Sequence, residues 1–263
     1  MRVIVVGGHG FIGRHVATAL RGAGHAVQVA GRTDPVAGEA EALVFAQGTR
    51  APDAERLAAE HVQAPAAWRA AVRPAHMVYL SSGEVYGDAP VPFCEEGPLL
   101  GASPYARAKR AGEEATLAAG GTVLRPAVVY GPGQTGTMLI PALLAHLAAG
   151  EVLPMTAGTQ TRDFVHVKDL ARLVVAALGH PGVFNAGTGV ERAVADVALD
   201  LWRTFQARFG PRPPPGLGQR PERPHEHARY ALDPSRAAAA LGWRPVVSLS
   251  EGLADLVARA GAE

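Results

Sequence analysis

Cysteine is nearly absent from this chain. Cys94 stands alone among 263 residues, which excludes an internal disulfide and a thiolate-built zinc site. With Glu95 and Glu96 beside it and no basic neighbour to stabilise a thiolate, Cys94 is not expected to be catalytic. An excess of either charge is absent too. The 25 Lys+Arg offset 24 Asp+Glu to leave a net charge of +1, so neither nucleic acid nor a membrane surface is an expected partner. No apolar stretch reaches the ~18 residues of a membrane span. The opening Met1-Arg2-Val3-Ile4-Val5-Val6-Gly7 lacks the charged-then-apolar layout of a secretion signal. A soluble, cytoplasmic protein is the expectation.

What the chain has in quantity is core and turns. Hydrophobic residues make up 48%, enough to fill a core, and 31 glycines with 21 prolines provide for many tight loops. Val3-Ile4-Val5-Val6 is a short continuous apolar run, as in a strand buried on both faces of a parallel sheet. Ile12, Val16 and Leu20 then recur every fourth residue, one face of a helix that Gly24 ends. Further strands are expected at Val27–Ala30, Leu43–Phe45, Met77–Leu80, Thr122–Leu124 and Val183–Asn185. Helical patterns fall at Asp53–Ala71, Tyr105–Ala119 and around Leu170–Ala177. This alternation predicts an α/β fold, a Rossmann-type doubly wound parallel sheet.

Two regions depart from it. The apolar helix within Thr137–Ala149, a helix from Val194 to about Phe209, the proline-rich Pro211–Pro224 and two short C-terminal helices do not extend the sheet. They read as a small, discontinuous C-terminal substrate domain. The division expected is 1–135 plus about 160–190 for a dinucleotide, and about 136–159 plus 191–263 for a substrate. Between Arg32 and Leu43 there are also too few residues for a full parallel crossover. The sheet is therefore expected to be one βα unit shorter than usual, on the side of a cofactor adenine.

Gly7-Gly8-His9-Gly10-Phe11-Ile12-Gly13 sits between the first strand and the first helix. Glycines there let the backbone turn sharply and approach a pyrophosphate, whose charge faces a helix N-terminus. At the end of the second strand, Ala30-Gly31-Arg32-Thr33 offers no carboxylate for a ribose 2′-hydroxyl and an arginine for a 2′-phosphate. NADP is the expected cofactor, with NAD as the alternative. Tyr105 and Lys109 are four apart on a predicted helix and share a face. An ammonium near the phenol, and an oxidised nicotinamide, would favour the phenolate and let Tyr105 exchange a proton with a substrate oxygen. Ser81 and Ser82 follow the strand ending at Leu80, where ligands of parallel sheets bind. His225 and His227 flank Glu226 on a segment with no third ligand at a sensible spacing, so no metal is expected.

These motifs together resemble a family. The glycine turn, Ser81-Ser82-Gly83-Glu84-Val85-Tyr86-Gly87, Tyr105-x-x-x-Lys109, Leu124-Arg125-Pro126 and Val129-Tyr130-Gly131-Pro132 occur in the order found in extended short-chain dehydrogenase/reductases. Arg162-Asp163-Phe164, Asn185-Ala186-Gly187-Thr188-Gly189 and Leu241-Gly242-Trp243-Arg244-Pro245 continue the order. The closer likeness is to the NAD-dependent epimerase/dehydratase group that acts on nucleotide sugars. The resemblance implies Ser82, Tyr105 and Lys109 as catalytic residues. It implies Gly7, Gly10, Phe11, Ile12, Gly13, Arg32, Ala46, Tyr105 and Lys109 as the cofactor set. Substrate contacts would be Ser82, Glu84, Arg162 and Arg223, the two arginines gripping a diphosphate. Arg223 opens a motif whose usual Gly and Asp are altered here, so Arg220 is an alternative. A homodimer is implied by resemblance alone.

Departures narrow the reaction. The family's 4,6-dehydratases carry an acid where Gly83 stands, so dehydration is not expected. Glu84 either acts as a base or only shapes the turn. Val128 and His61 each replace an asparagine common in epimerases. The reading is NAD(P)H-dependent reduction of a keto group, at C4, of a nucleotide sugar, with Tyr105 as proton donor. The alternatives are a 4-epimerase with tightly bound NAD and a non-catalytic dinucleotide-binding protein.

Overall fold

The apolar run at the start forms β1 (Arg2–Val6), and its side chains alternate between two cores. Val3 and Val5 enter one buried cluster, Ile4 and Val6 the other, as a strand covered on both faces requires. The computed structural model describes every residue except 32–33, 36–38, 51–52, 223–226 and 261–263. After β1 come α1 (Phe11–Gly22), β2 (Ala26–Ala30) and β3 (Ala42–Phe45). Next are α2 (Ala54–Ala58), a π-helical turn at Ala59–Gln63, α3 (Ala64–Val72) and β4 (His76–Leu80). A 3-10 turn (Gly83–Tyr86) precedes α4 (Pro104–Ala118), β5 (Thr122–Pro126) and β6 (Val128–Tyr130). Then follow α5 (Leu139–Ala149), β7 (Thr161–Arg162), β8 (Phe164–His166), α6 (Val167–Ala176) and β9 (Gly182–Ala186). The chain finishes with β10 (Arg192–Ala193), α7 (Val194–Phe209), α8 (Ser235–Leu241) and α9 (Leu249–Arg259).

Six strands form one parallel sheet in the order β2-β1-β3-β4-β5-β9. The order reverses at β1, between β2 and β3, which is where a doubly wound sheet opens a ligand crevice. On one face α1 and α6 pack with Val16, Leu20, Leu170, Leu173 and Val174. On the other, Trp68 and Val72 of α3 cover Leu43, Phe45 and Tyr79. β2 is an edge strand, and residues 31–41 carry no helix among those described, so the expected shortening is present.

Three features were not foreseen. The helix expected over Asp53–Ala71 is interrupted by the π turn, which buries Glu60 and His61. Two small pairs form away from the main sheet: β6 with β8 in parallel, and β7 with β10 antiparallel. Each strand has two or three residues, too short for a period-2 pattern to register. Ala237 of α8 and Trp243 join the sheet's core, the Trp243 indole donating to the Asp169 carbonyl at 3.0 Å. A separate cluster gathers α5, α7 and α9 around Leu143, Leu147, Val197, Leu201 and Leu253.

Candidate active site

At the carboxyl end of β4 the chain turns through Ser81 and Ser82. Ser82 caps the 3-10 turn, its hydroxyl accepting the Glu84 N–H at 3.2 Å. Tyr105 lies in the first turn of α4, which Ser103 caps by accepting the Ala106 N–H at 3.0 Å. The Ser82 hydroxyl acts on the Tyr105 phenol, favouring its ionised form. One turn along, Lys109 is buried and donates to the Leu80 carbonyl at 2.7 Å. The three candidate catalytic side chains therefore converge.

Beneath them is a buried polar scaffold. Ser81 donates to Glu113 at 2.5 Å, and Arg125 of β5 binds the same carboxylate through two nitrogens, at 3.0 and 2.7 Å. Arg125 also donates to the Tyr86 hydroxyl at 3.0 Å, and that hydroxyl donates to Asn185 at 2.7 Å. This planar fork fixes α4 against the sheet.

A second cation, Arg50, stands beside Lys109 at Tyr105. Lys109 is expected to favour the Tyr105 phenolate. Burial pulls the Lys109 ammonium down to about 7, against the opposing pull of Glu113. Burial pushes Tyr105 up, and the charge that counters this is Arg50. The Arg50 guanidinium stands 4.7 Å from the centre of the Tyr105 ring, against 5.8 Å for the Lys109 nitrogen. Arg50 also pairs with Glu84, so that carboxylate is not a free base. His61 from the π turn meets Tyr105 edge-on at 5.5 Å. Burial and then the Lys109 charge lower His61 to about 4. Its Nε2 lies 2.9 Å from the Thr49 carbonyl, while its buried Nδ1 has no hydrogen-bond partner among the described residues. The resemblance singled out His61 as a departure, whereas nothing in the spacing marked Arg50, which is delivered by the loop after β3.

The glycine turn fits a dinucleotide. Gly7 has φ +81°, and a Cβ on Gly13 would fall 2.0 Å from the Gly7 carbonyl oxygen, so helix and turn make backbone contact there. α1 begins at Phe11 and Ile12 with no side chain capping its N–H groups, which leaves them for an anion. Ala46 follows β3 and donates its N–H to the Val6 carbonyl at 2.9 Å. Arg32 lies outside the described residues. The expectation that no carboxylate stands at the end of β2 is corrected: Asp34 accepts the Gly31 N–H at 2.8 Å.

On the substrate side, Arg162 donates to the Thr161 and His227 carbonyls, both at 2.7 Å. Asp163 is buried and accepts from the N–H groups of Thr188, Gly189 and Leu232 and from the Thr188 hydroxyl. Arg162 and Asp163 thus strap residues 227–232 to the sheet. Arg223 and His225 lie outside the described residues. Arg220 is exposed, and the His227 ring nitrogen lies 2.6 Å from Asp88. A side chain on Gly83 would meet the Tyr230 hydroxyl at 2.2 Å, so the position that lacks an acid also lacks room for one.

A family model described as "NAD dependent epimerase/dehydratase family" matches residues 42–187. The chain is 36% identical over 192 residues to a UDP-glucose 4-epimerase of Mycolicibacterium smegmatis, covering 67% of this chain and 59% of that one. It is 31% identical over 196 residues to a dTDP-glucose 4,6-dehydratase of Streptomyces niveus, covering 70% and 57%. The match thus spans less than two thirds of these relatives. The UDP-glucose 4-epimerase of Thermotoga maritima, solved with UDP-glucose, superposes with a TM-score of 0.85 at 25% identity and covers 100% of both chains. The Thermus thermophilus UDP-glucose 4-epimerase, solved with NAD, shares the fold with a TM-score of 0.86 at 23% identity, covering 99% of both chains.

Proposed function

This chain belongs to the NAD dependent epimerase/dehydratase family, and on that premise we propose that it reduces a keto group, at C4, of a nucleotide sugar. The observation that carries the reading is the meeting of Ser82, at the carboxyl end of β4, with Tyr105 and the buried Lys109 on α4. A nicotinamide dinucleotide supplies the hydride when bound, held by Gly7, Gly10, Phe11, Ile12 and Gly13, with Ala46 and Lys109 further along the crevice. Ser82 holds the carbonyl oxygen, and Tyr105 gives it the phenolic proton. Arg50 and Lys109 supply positive charge around the phenolate left behind. Arg162 and Arg223 hold the diphosphate. Residues 1–135 with 160–190 take the dinucleotide in this reading, and 136–159 with 191–263 the sugar. The separate cluster around α5, α7 and α9 supports that division. A homodimer belongs to the same proposal.

Gly83 argues against a 4,6-dehydratase, since Tyr230 fills the space of the missing acid. A second reading, a 4-epimerase that retains NAD, draws support from Asp34, because a carboxylate at the end of β2 suits a free ribose 2′-hydroxyl and repels a 2′-phosphate. Arg32 argues the other way, for NADP. The test is to purify the protein, measure retained dinucleotide by absorbance, and assay 4-keto sugar nucleotides with added NADPH and NADH. Consumption of added cofactor supports the reductase. Stoichiometric retained NAD with no consumption replaces it with the epimerase.

A further inference from the structure

β2 is the edge of the main sheet, and the shortened crossover leads from its end straight towards β3. Two titratable side chains meet at that end. The His9 ring comes from the glycine turn and lies against Gly31. A Cβ on Gly31 would stand 3.4 Å from the imidazole Cδ2 and 3.7 Å from either carboxylate oxygen of Asp34. Imidazole and carboxylate thus flank one backbone position. That position is held in place, because the Gly7 and Gly8 N–H groups donate to the Ala30 carbonyl at 2.7 and 3.3 Å and Asp34 accepts the Gly31 N–H.

The other charged groups near by are turned elsewhere. On α1, Arg14 donates to the Gly10 and Gly133 carbonyls at 3.3 and 3.2 Å, and the His15 ring nitrogen lies 2.9 Å from the Pro132 carbonyl. Before β3, Glu39 and Glu41 both bind Arg2. Arg32 lies outside the described residues. Asp34 is therefore the titratable group that stands beside His9 among those described, and His9 itself is exposed. A carboxylate alone at the end of β2 suits a ribose diol and repels a 2′-phosphate. A carboxylate beside an imidazole behaves differently, since an imidazole is charged over only part of the physiological pH range.

We propose that His9 makes the choice of dinucleotide depend on pH. As imidazolium it offsets Asp34 and donates a hydrogen bond to a 2′-phosphate, which admits NADP. As neutral imidazole it leaves Asp34 to accept from the ribose diol of NAD. The proposal rests on the dinucleotide part of the reading above, and it gives Asp34 and a phosphate-binding arginine a way to share one site. The sign follows from linkage. A 2′-phosphate binds the imidazolium form better, so NADP binding takes up a proton wherever the free imidazole is neutral, and NADP binds more tightly as pH falls. NAD has no such preference and takes up none.

The test is calorimetric titration of the purified protein, freed of any retained dinucleotide, with NADP and with NAD. It is run in pairs of buffers that differ in ionisation heat, at about pH 8, where a phosphate monoester is dianionic and a free imidazole is neutral. The wild type is expected to take up a fraction of a proton with NADP and none with NAD. Its NADP-to-NAD affinity ratio is expected to rise about tenfold between about pH 8 and about pH 6.5, the size of one hydrogen bond to a charged group. His9→Asn is expected to abolish the proton uptake and flatten that ratio, with NAD affinity and the thermal midpoint nearly unchanged. Proton uptake that persists in His9→Asn assigns it to another group and overturns the role of His9, as does a wild-type ratio that is the same at both pH values. A protein that binds neither dinucleotide refutes the cofactor reading itself, and this proposal falls with it.

Discussion

The two ends of the crevice are held to different tolerances. Around β4 and α4 the groups beside the reacting centre are anchored by buried partners: Lys109 by Leu80, Ser81 by Glu113, Glu113 by Arg125. Beyond β2, by contrast, the sheet simply stops. That strand alternates exposed and half-buried residues, and the described link that closes its end is Gly31 to Asp34. Proton transfer fails when groups shift by an ångström, whereas affinity for a remote ribose falls only gradually as contacts are lost. In the proposed reading a truncation on the adenine side is therefore tolerable, and the same truncation beside α4 would not be.

Four substitutions test that contrast, in falling order of effect. Tyr105→Phe is expected to reduce turnover by on the order of 10²–10⁴, while calorimetry finds nucleotide-sugar binding nearly intact. Full turnover would remove Tyr105 from the chemistry. Glu113→Ala leaves the Arg125 charge buried without its partner and is expected to cost about 3–5 kcal/mol in denaturant unfolding. A loss below about 1 kcal/mol, the range of a surface pair, would mean that the rigid end is not anchored as described. Arg50→Ala removes the charge that opposes burial at Tyr105, so the phenol pKa rises. Reduction needs the protonated phenol and is lost as pH rises through that pKa, so the alkaline limb of the kcat profile is expected to move to higher pH. Arg50→Lys should largely restore it, and an unmoved limb in Arg50→Ala would refute the assignment. Asp34→Asn, at the tolerant end, is expected to shift the NADP-to-NAD affinity ratio only several-fold towards NADP, with turnover at saturating cofactor unchanged. An unaltered ratio would deny Asp34 any contact with the ribose.

The same contrast explains what could be read without coordinates. The main-sheet strands were legible because a strand buried on both faces is a bare apolar run, and the shortened crossover because a chain can be too short to span. Ser82, Tyr105 and Lys109 were legible because they occupy fixed places on a turn and a helix. Arg50, Asp34 and Tyr230 were not. Each reaches the crevice from an irregular segment, where no period ties residue number to direction. The π turn was hidden for a related reason: one extra residue in a helix changes which face His61 occupies without changing composition. That Arg50 joins Lys109 over the Tyr105 ring depends on the path of the loop after β3, which spacing does not encode.

Asp163 ties these regions together mechanically. One carboxylate, sealed from solvent, holds the loop after β9 and the segment before α8, residues far apart in the chain. Neither can fray alone without stranding a buried anion. The last third of the polypeptide is thereby made to melt with the nucleotide fold as one cooperative unit, and amide exchange in Thr188, Gly189 and Leu232 should report the same opening event.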